Sequence, residues 1–203
     1  MTRSRLTWSR RRLLKAGGAL AGVSAAGLLV RPARGAEAPA RGAEAPARAP
    51  GIETSPRRIA LLNLHTGERL DIEYFRDGAY VPQALSAIEV CLRDYRTGDR
   101  HAIDPALMDT LHEVARAAGV DPSFSVISGY RSPRTNAMLH ERSSGVAQHS
   151  LHMEGRAIDV RVAGIDCVDL AARALDLKRG GVGYYRASDF VHLDTGAFRT
   201  WKG

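Results

Sequence analysis

Sulfur chemistry has little to work with in this chain, which carries two cysteines, Cys91 and Cys167, among 203 residues. Their separation is not that of a zinc knuckle, so they supply no metal site of that kind. Cys91 falls in a helical apolar pattern that suits a buried free thiol as well as half of a disulfide. Long apolar runs are also missing. The longest, ALAGVSAAGLLV at 19–30, is weakly apolar and shorter than the roughly 17–25 residues that a membrane span requires. Aromatic residues make up 6% of the chain, and no stripe alternates them with basic residues. The sequence therefore has no signature of nucleic-acid binding. No repeat of solenoid length is visible either.

The formal charge of +7 looks like a contrary sign, but it is unevenly placed. Residues 1–30 hold Arg3, Arg5, Arg10, Arg11, Arg12 and Lys15 and no acidic residue; the rest of the chain has 23 basic and 22 acidic residues. The basicity thus belongs to one terminal segment and not to a binding face. Within that segment SRRRLLK, followed by the short Ala/Gly/Leu stretch, resembles a twin-arginine export signal. Such a signal implies recognition by the twin-arginine translocation machinery and a periplasmic destination, with no permanent membrane span. Residues 34–47 are two copies of RGAEAPA, which bury little and read as a tether. The expected organisation is a signal over 1–35, an Ala/Pro-rich linker over 36–56 and one folded domain over 57–203.

In that domain, RRIALLNLHTGERLDIEYF predicts strands at 59–64 and 70–75 joined by a turn. Helical spacing of Leu85, Ile88, Cys91 and Leu92 predicts a helix within 81–95. Asp104-Pro105 opens a second helix that Gly119 can stop, and Ser132-Pro133 opens a third through His140. Between them lies a strand at 124–127. Further strands are expected at 157–162, 182–184 and 190–193, with a helix over 167–177 capped by Asp166 and ended by Gly180-Gly181. The pattern is α+β, with early helices and a mainly antiparallel sheet carrying the polar residues.

Chemistry concentrates in GVAQHSLHMEGRAIDV, residues 145–160. His152 and Asp159 bracket Gly155, a residue that lets the chain turn so that both side chains converge. A catalytic zinc takes three protein ligands and keeps one position for water, so a third donor is needed. FVHLD at 190–194 offers His192, with Asp194 on the same strand face. Ligating histidines usually donate their second N–H to such a carboxylate. Asp189, three residues before His192, is near enough in sequence to serve as a base. The loop Ser128-Gly129-Tyr130-Arg131 follows a strand, where Arg131 can hold a substrate carboxylate, stabilise an oxyanion or make a surface salt bridge. His65, His101, His112 and His140 have no comparable surroundings.

These segments together resemble a known family. Ser150, His152, Gly155, Ala157 and Asp159 carry the pattern Ser-x-His-x-x-Gly-x-Ala-x-Asp. With the Ser128–Arg131 loop and the late DFVHLDTG, they are similar to the zinc peptidases of the D-Ala-D-Ala carboxypeptidase and dipeptidase (M15) group, most of all its exported murein endopeptidases. The resemblance implies a small domain of hedgehog/D-Ala-D-Ala peptidase type. It implies zinc on His152, Asp159 and His192, a catalytic acidic residue at Asp189 and a substrate-engaging arginine at Arg131. The implied activity is hydrolysis of peptide cross-links in peptidoglycan, with trimming of terminal D-alanine as the alternative. A non-catalytic wall-binding module would instead close the metal with a fourth ligand or lack the base. Two departures set the chain apart from the dipeptidase branch: Asp189 stands where that branch has glutamate, and Val191 where it has tryptophan. His149 lies outside the matched pattern; it can orient Asp159 or the substrate, or simply line the loop.

Overall fold

In the computed structural model, residues 54–143 and 145–203 are described. The expected signal over 1–35 and nearly all of the expected linker lie outside the described residues. Strand β1 (Arg57–Asn63) turns through 64–68 into β2 (Arg69–Arg76), and a two-residue strand β3 (Ala79–Tyr80) follows. Helices α1 (Pro82–Cys91) and α2 (Pro105–Ala118) precede β4 (Ser123–Ser128). Next come α3 (Pro133–Arg142), a single 3-10 turn at Leu151–Glu154 and β5 (Ala157–Val162). Helix α4 (Cys167–Leu177) leads into β6 (Gly181–Tyr185), β7 (Phe190–Asp194) and β8 (Arg199–Lys202). The strands form one sheet in the order β3-β2-β1-β4-β5-β7-β6-β8. Pairing is antiparallel except between β1 and β4 and between β6 and β8. The first hairpin thus joins the sheet that carries the polar residues, and the helices are interleaved with the strands.

Helix ends follow their local chemistry. The Asp104 carboxylate accepts from the Ala106 N–H, Pro105 occupies the first turn, and Gly119 closes α2 in the left-handed region. Ser132 caps α3 through the Thr135 N–H. Helix α4 departs from expectation at both ends. Asp166 makes no side-chain cap, and the helix stops at Lys178, which takes the left-handed conformation itself, two residues before the glycine pair.

Alternation along the central strands divides the sheet. Ile158, Val160 and Val162 of β5 and Val191 and Leu193 of β7 enter the core with Leu107, Leu111 and Val114 of α2 and Leu170 of α4. Burying each such Leu, Ile or Val contributes about 1.5–3 kcal/mol. Asp159 and His192, between those core residues in sequence, must therefore lie on the opposite face, and the register pairs them directly across β5 and β7. Cys91 and Cys167 are buried free thiols, each pushed up to about 11 by burial. Among the described residues no helix is long and apolar enough to cross a membrane.

Candidate metal centre

His152 reaches Asp159 because of the 3-10 turn and the residue that ends it. Gly155 sits at φ +66°, and a Cβ there would lie 2.0 Å from the Ala102 carbonyl oxygen, so only glycine allows this approach. The turn is locked to the loop after β4 by two bonds. The Arg131 backbone N–H donates to the His152 carbonyl (3.1 Å), and the His152 ring pairs through Nδ1 with the Gly129 carbonyl (2.8 Å). That second bond fixes the ring and leaves Nε2 facing inward.

Three donor atoms then meet. His152 Nε2 is 3.3 Å from Asp159 Oδ1 and 3.2 Å from His192 Nδ1, and His192 Nδ1 is 2.9 Å from the same Asp159 oxygen. All three residues are buried. A tetrahedral ion with bonds of about 2.0–2.1 Å spaces its donors about 3.3–3.4 Å apart. This triangle is close to that size, and its N, N, O donors suit zinc, with iron or manganese as alternatives. Among the described residues it is the one group of three or more His, Cys, Asp or Glu residues so placed.

The surroundings bias the charges. Burial pushes the Asp159 carboxyl up, but His152 and His192 outweigh it and hold the group below the usual carboxylate range. Burial lowers His152, while at His192 the bonds to Asp159 and Asp194 overcome it and raise the imidazole. Arg131 donates from Nε to Ser128 Oγ (2.8 Å) and from Nη2 to Asp159 Oδ2 (2.6 Å). Its guanidinium thus neutralises the outer oxygen of the carboxylate whose inner oxygen belongs to the triangle.

Asp194 lies behind His192. Its Oδ2 pairs with His192 Nε2 (3.0 Å) and accepts from Arg199 (2.6 Å), and its Oδ1 accepts the Gly181 and Gly196 N–H groups. The carboxylate is fully buried. Burial would raise it, but those donors hold it well below the ordinary range. It therefore orients His192 as a fixed anion.

Asp189 is not brought to the cluster. On β7 it is Phe190, two residues before His192 and so on the same strand face, that lines the cleft. Asp189 precedes β7 at φ +49°. Its carboxylate lies 3.8 Å from Arg161 Nε and is 68% exposed. Asp189 is not among the residues that line the cleft. His149, by contrast, lines it.

The cluster forms the floor of a cleft of about 340 Å³. One wall is the loop 145–151, held by Asn136 Nδ2, which donates to the Ala147 and Gln148 carbonyls. The other is aromatic: Tyr185, Phe190 and Trp201. Sequence reasoning missed this wall and Arg199. Its one local signal was a tryptophan in the terminal TWKG. A second depression, of about 370 Å³ beside α2, has its charges engaged in Arg57–Asp109 and Arg179–Glu113 pairs. His65, His112 and His140 bond to the carbonyls of Ile127, Arg58 and Val146, and His101 stacks on Tyr130, all outside the cluster.

With this geometry in place, comparison with known proteins is decisive. Residues 52–201 match the family described as peptidoglycan L,D-endopeptidase MepK. The chain belongs to this family. It is 42% identical over 149 residues to the probable peptidoglycan L,D-endopeptidase MepK of Haemophilus influenzae, covering 73% of this chain and 80% of that protein. It is 42% identical over 146 residues to the peptidoglycan L,D-endopeptidase MepK of Escherichia coli (strain K12), covering 72% and 80%. The α+β domain with its three-donor cluster is thus a peptidase domain of the MepK family.

Proposed function

We propose that the protein is a zinc-dependent endopeptidase that hydrolyses peptide cross-links of peptidoglycan. The observation that carries this reading is the His152–Asp159–His192 triangle at the floor of an open cleft in a MepK family member. A metal held by these three residues would keep a remaining position open to the cleft, as a catalytic site does and a closed structural site does not. When bound, zinc supplies a Lewis acid that polarises the scissile carbonyl and activates water.

The chain's own residues divide the remaining work. Asp194 and the Gly129 carbonyl hold the two imidazoles in the tautomers that present Nδ1 of His192 and Nε2 of His152. Arg131 fixes Asp159 and places positive charge beside the cluster, where negative charge develops on the carbonyl oxygen. His149 is the imidazole of the cleft that is not in the triangle; it takes the water proton and returns it to the leaving amine. The N-terminal SRRRLLK segment sends the protein to the periplasm, where the wall is reached.

Digestion of purified wall sacculi, with the released muropeptides identified by mass spectrometry, tests the activity. Loss of cross-linked species with the appearance of their monomers is expected. Release of free D-alanine alone would make the enzyme a D,D-carboxypeptidase, and unchanged sacculi bound by the protein would make it a wall-binding module.

A further inference from the structure

The register places three residues on one rung and one face of the sheet: His192 pairs with Gly183, and Gly183 pairs with Trp201. In most sheets the middle residue would separate its neighbours. Here it has no side chain, and the Trp201 ring occupies that space. A Cβ on Gly183 would lie 2.5–2.7 Å from the indole Cε2, Nε1 and Cζ2 atoms, inside their contact radii. The indole is thereby drawn to 5.1 Å, centroid to centroid, from the His192 imidazole. Two further contacts fix it, and a third fixes its partner Tyr185. Trp201 Nε1 donates to the Tyr185 hydroxyl (3.0 Å), Tyr185 stacks on Phe190 at 4.5 Å, and the Arg199 guanidinium lies over the indole at 5.1 Å. Trp201, Tyr185 and Phe190 all line the cleft, so the assembly is a rigid aromatic wall against the metal cluster.

We propose that Trp201, seated on Gly183, is the specificity-determining wall of the cleft and packs the aliphatic arm of the cross-linking diamino acid beside the scissile bond. The inference rests on the endopeptidase reading and names the part of the substrate that the site selects. An indole offers a broad flat apolar surface, which a chain of methylenes covers and an alanine methyl does not. The opposite wall, the loop 145–151, offers Val146 and Leu151 among small and polar residues, so the broad flat surface that an extended arm can cover is the aromatic one. The wall is built on strands, and little ordering is needed when the arm docks.

The chain's two tryptophans are Trp8 and Trp201, so in a full-length Trp8→Phe protein the emission comes from Trp201 alone. Titration with a stem peptide containing the diamino acid, alongside calorimetry, is expected to shift and saturate that emission. The same peptide with alanine in place of the diamino acid is expected to bind about tenfold more weakly, the scale of discrimination by a few methylenes. In the otherwise native enzyme, Trp201→Phe and Trp201→Ala are expected to raise KM progressively for a diamino-acid cross-linked muropeptide. In both, kcat and zinc affinity (from competition with a chromogenic chelator) stay within about threefold, whereas a positioning role toward His192 would weaken zinc and lower kcat. Calorimetric binding with unchanged emission overturns the proposal, as does a loss of activity that follows zinc affinity with KM unchanged. Emission shifts without any bond cleavage would instead refute the hydrolytic reading and leave the wall standing.

Discussion

Arg131 and Asp159 are joined by a 2.6 Å bond from Nη2 to Oδ2, while the other carboxylate oxygen faces His152 and His192. One side chain thus sets both the orientation and the charge of an acidic donor buried in the sheet. An arginine suits this position because its fork holds Ser128 Oγ with Nε and Asp159 with Nη2 at once. Lysine has no such fork. Arg131→Lys is expected to keep its metal and lose about 10²-fold in turnover, the scale of removing one preorganised donor. Turnover of a cross-linked muropeptide, with metal content measured on the same preparation, decides this. Activity close to that of the unaltered enzyme would remove the guanidinium from the mechanism.

The metal prediction separates donors from their support. His152→Ala and His192→Ala are each expected to abolish tight zinc binding, read by elemental analysis after dialysis. Asp194→Asn keeps a similar shape but removes the charge that His192 Nε2 meets at 3.0 Å. It is expected to retain zinc at saturation with affinity weaker by about 10–100-fold. Full stoichiometry and affinity in both histidine variants would end the assignment.

Two variants test which of Asp189 and His149 serves as the base, since His149 lines the cleft and Asp189 does not. Asp189→Asn is expected to leave turnover within a few-fold, because its carboxylate is exposed beside Arg161 and does not line the cleft. His149→Gln is expected to lose on the order of 10²-fold with zinc retained, as for a positioned general base. The reverse pattern would return the base to Asp189 and require the segment before β7 to rearrange on substrate binding.

What the sequence made legible was local. His152 and Asp159 are seven residues apart around Gly155, and the strand carrying Asp159 was bounded correctly because β-branched and small apolar residues alternate there with polar ones. The Asp104 and Ser132 caps were readable for the same reason: each signal lies within four residues of its effect. Strands β3 and β8 were not, since two or four residues give no usable period. The aromatic wall depends on Gly183 and Trp201 pairing across parallel β6 and β8, a register that neither segment encodes alone. The placement of Asp189 was not legible for a related reason. Sequence proximity to His192 does not set its direction, because Asp189 precedes β7 in the left-handed region and falls outside the strand's alternation.

The export prediction concerns the segment outside the described residues. Replacing Arg10 and Arg11 with lysine is expected to leave the full-length precursor in the cytoplasm, followed by fractionation and immunoblotting. Unchanged appearance in the periplasm would defeat the twin-arginine route.

A last prediction links pH to the loop that carries Arg131. Asp94 is 1% exposed, and its Oδ2 accepts both the backbone N–H and the hydroxyl of Ser132, at 2.9 and 2.7 Å. Its Oδ1 accepts the Arg96 N–H. Burial alone would raise this carboxyl, but these bonds and that of Thr135 overcome it and lower it from 3.8 to about 2. A folded-state value below the unfolded one means that the charged form stabilises the fold. The contribution is complete above pH 3.8 and disappears as the pH falls through about 2. A shift of this size corresponds to about 2 kcal/mol. Asp94→Asn is therefore expected to unfold at lower denaturant concentration than the unaltered protein at pH 7, with the difference shrinking below pH 4 and vanishing near pH 2. Because Ser132 adjoins Arg131 and caps α3, the variant is also expected to lose activity at neutral pH while still folded. A stability difference that persists unchanged to the lowest pH would show that the loop is held by packing and not by this charge.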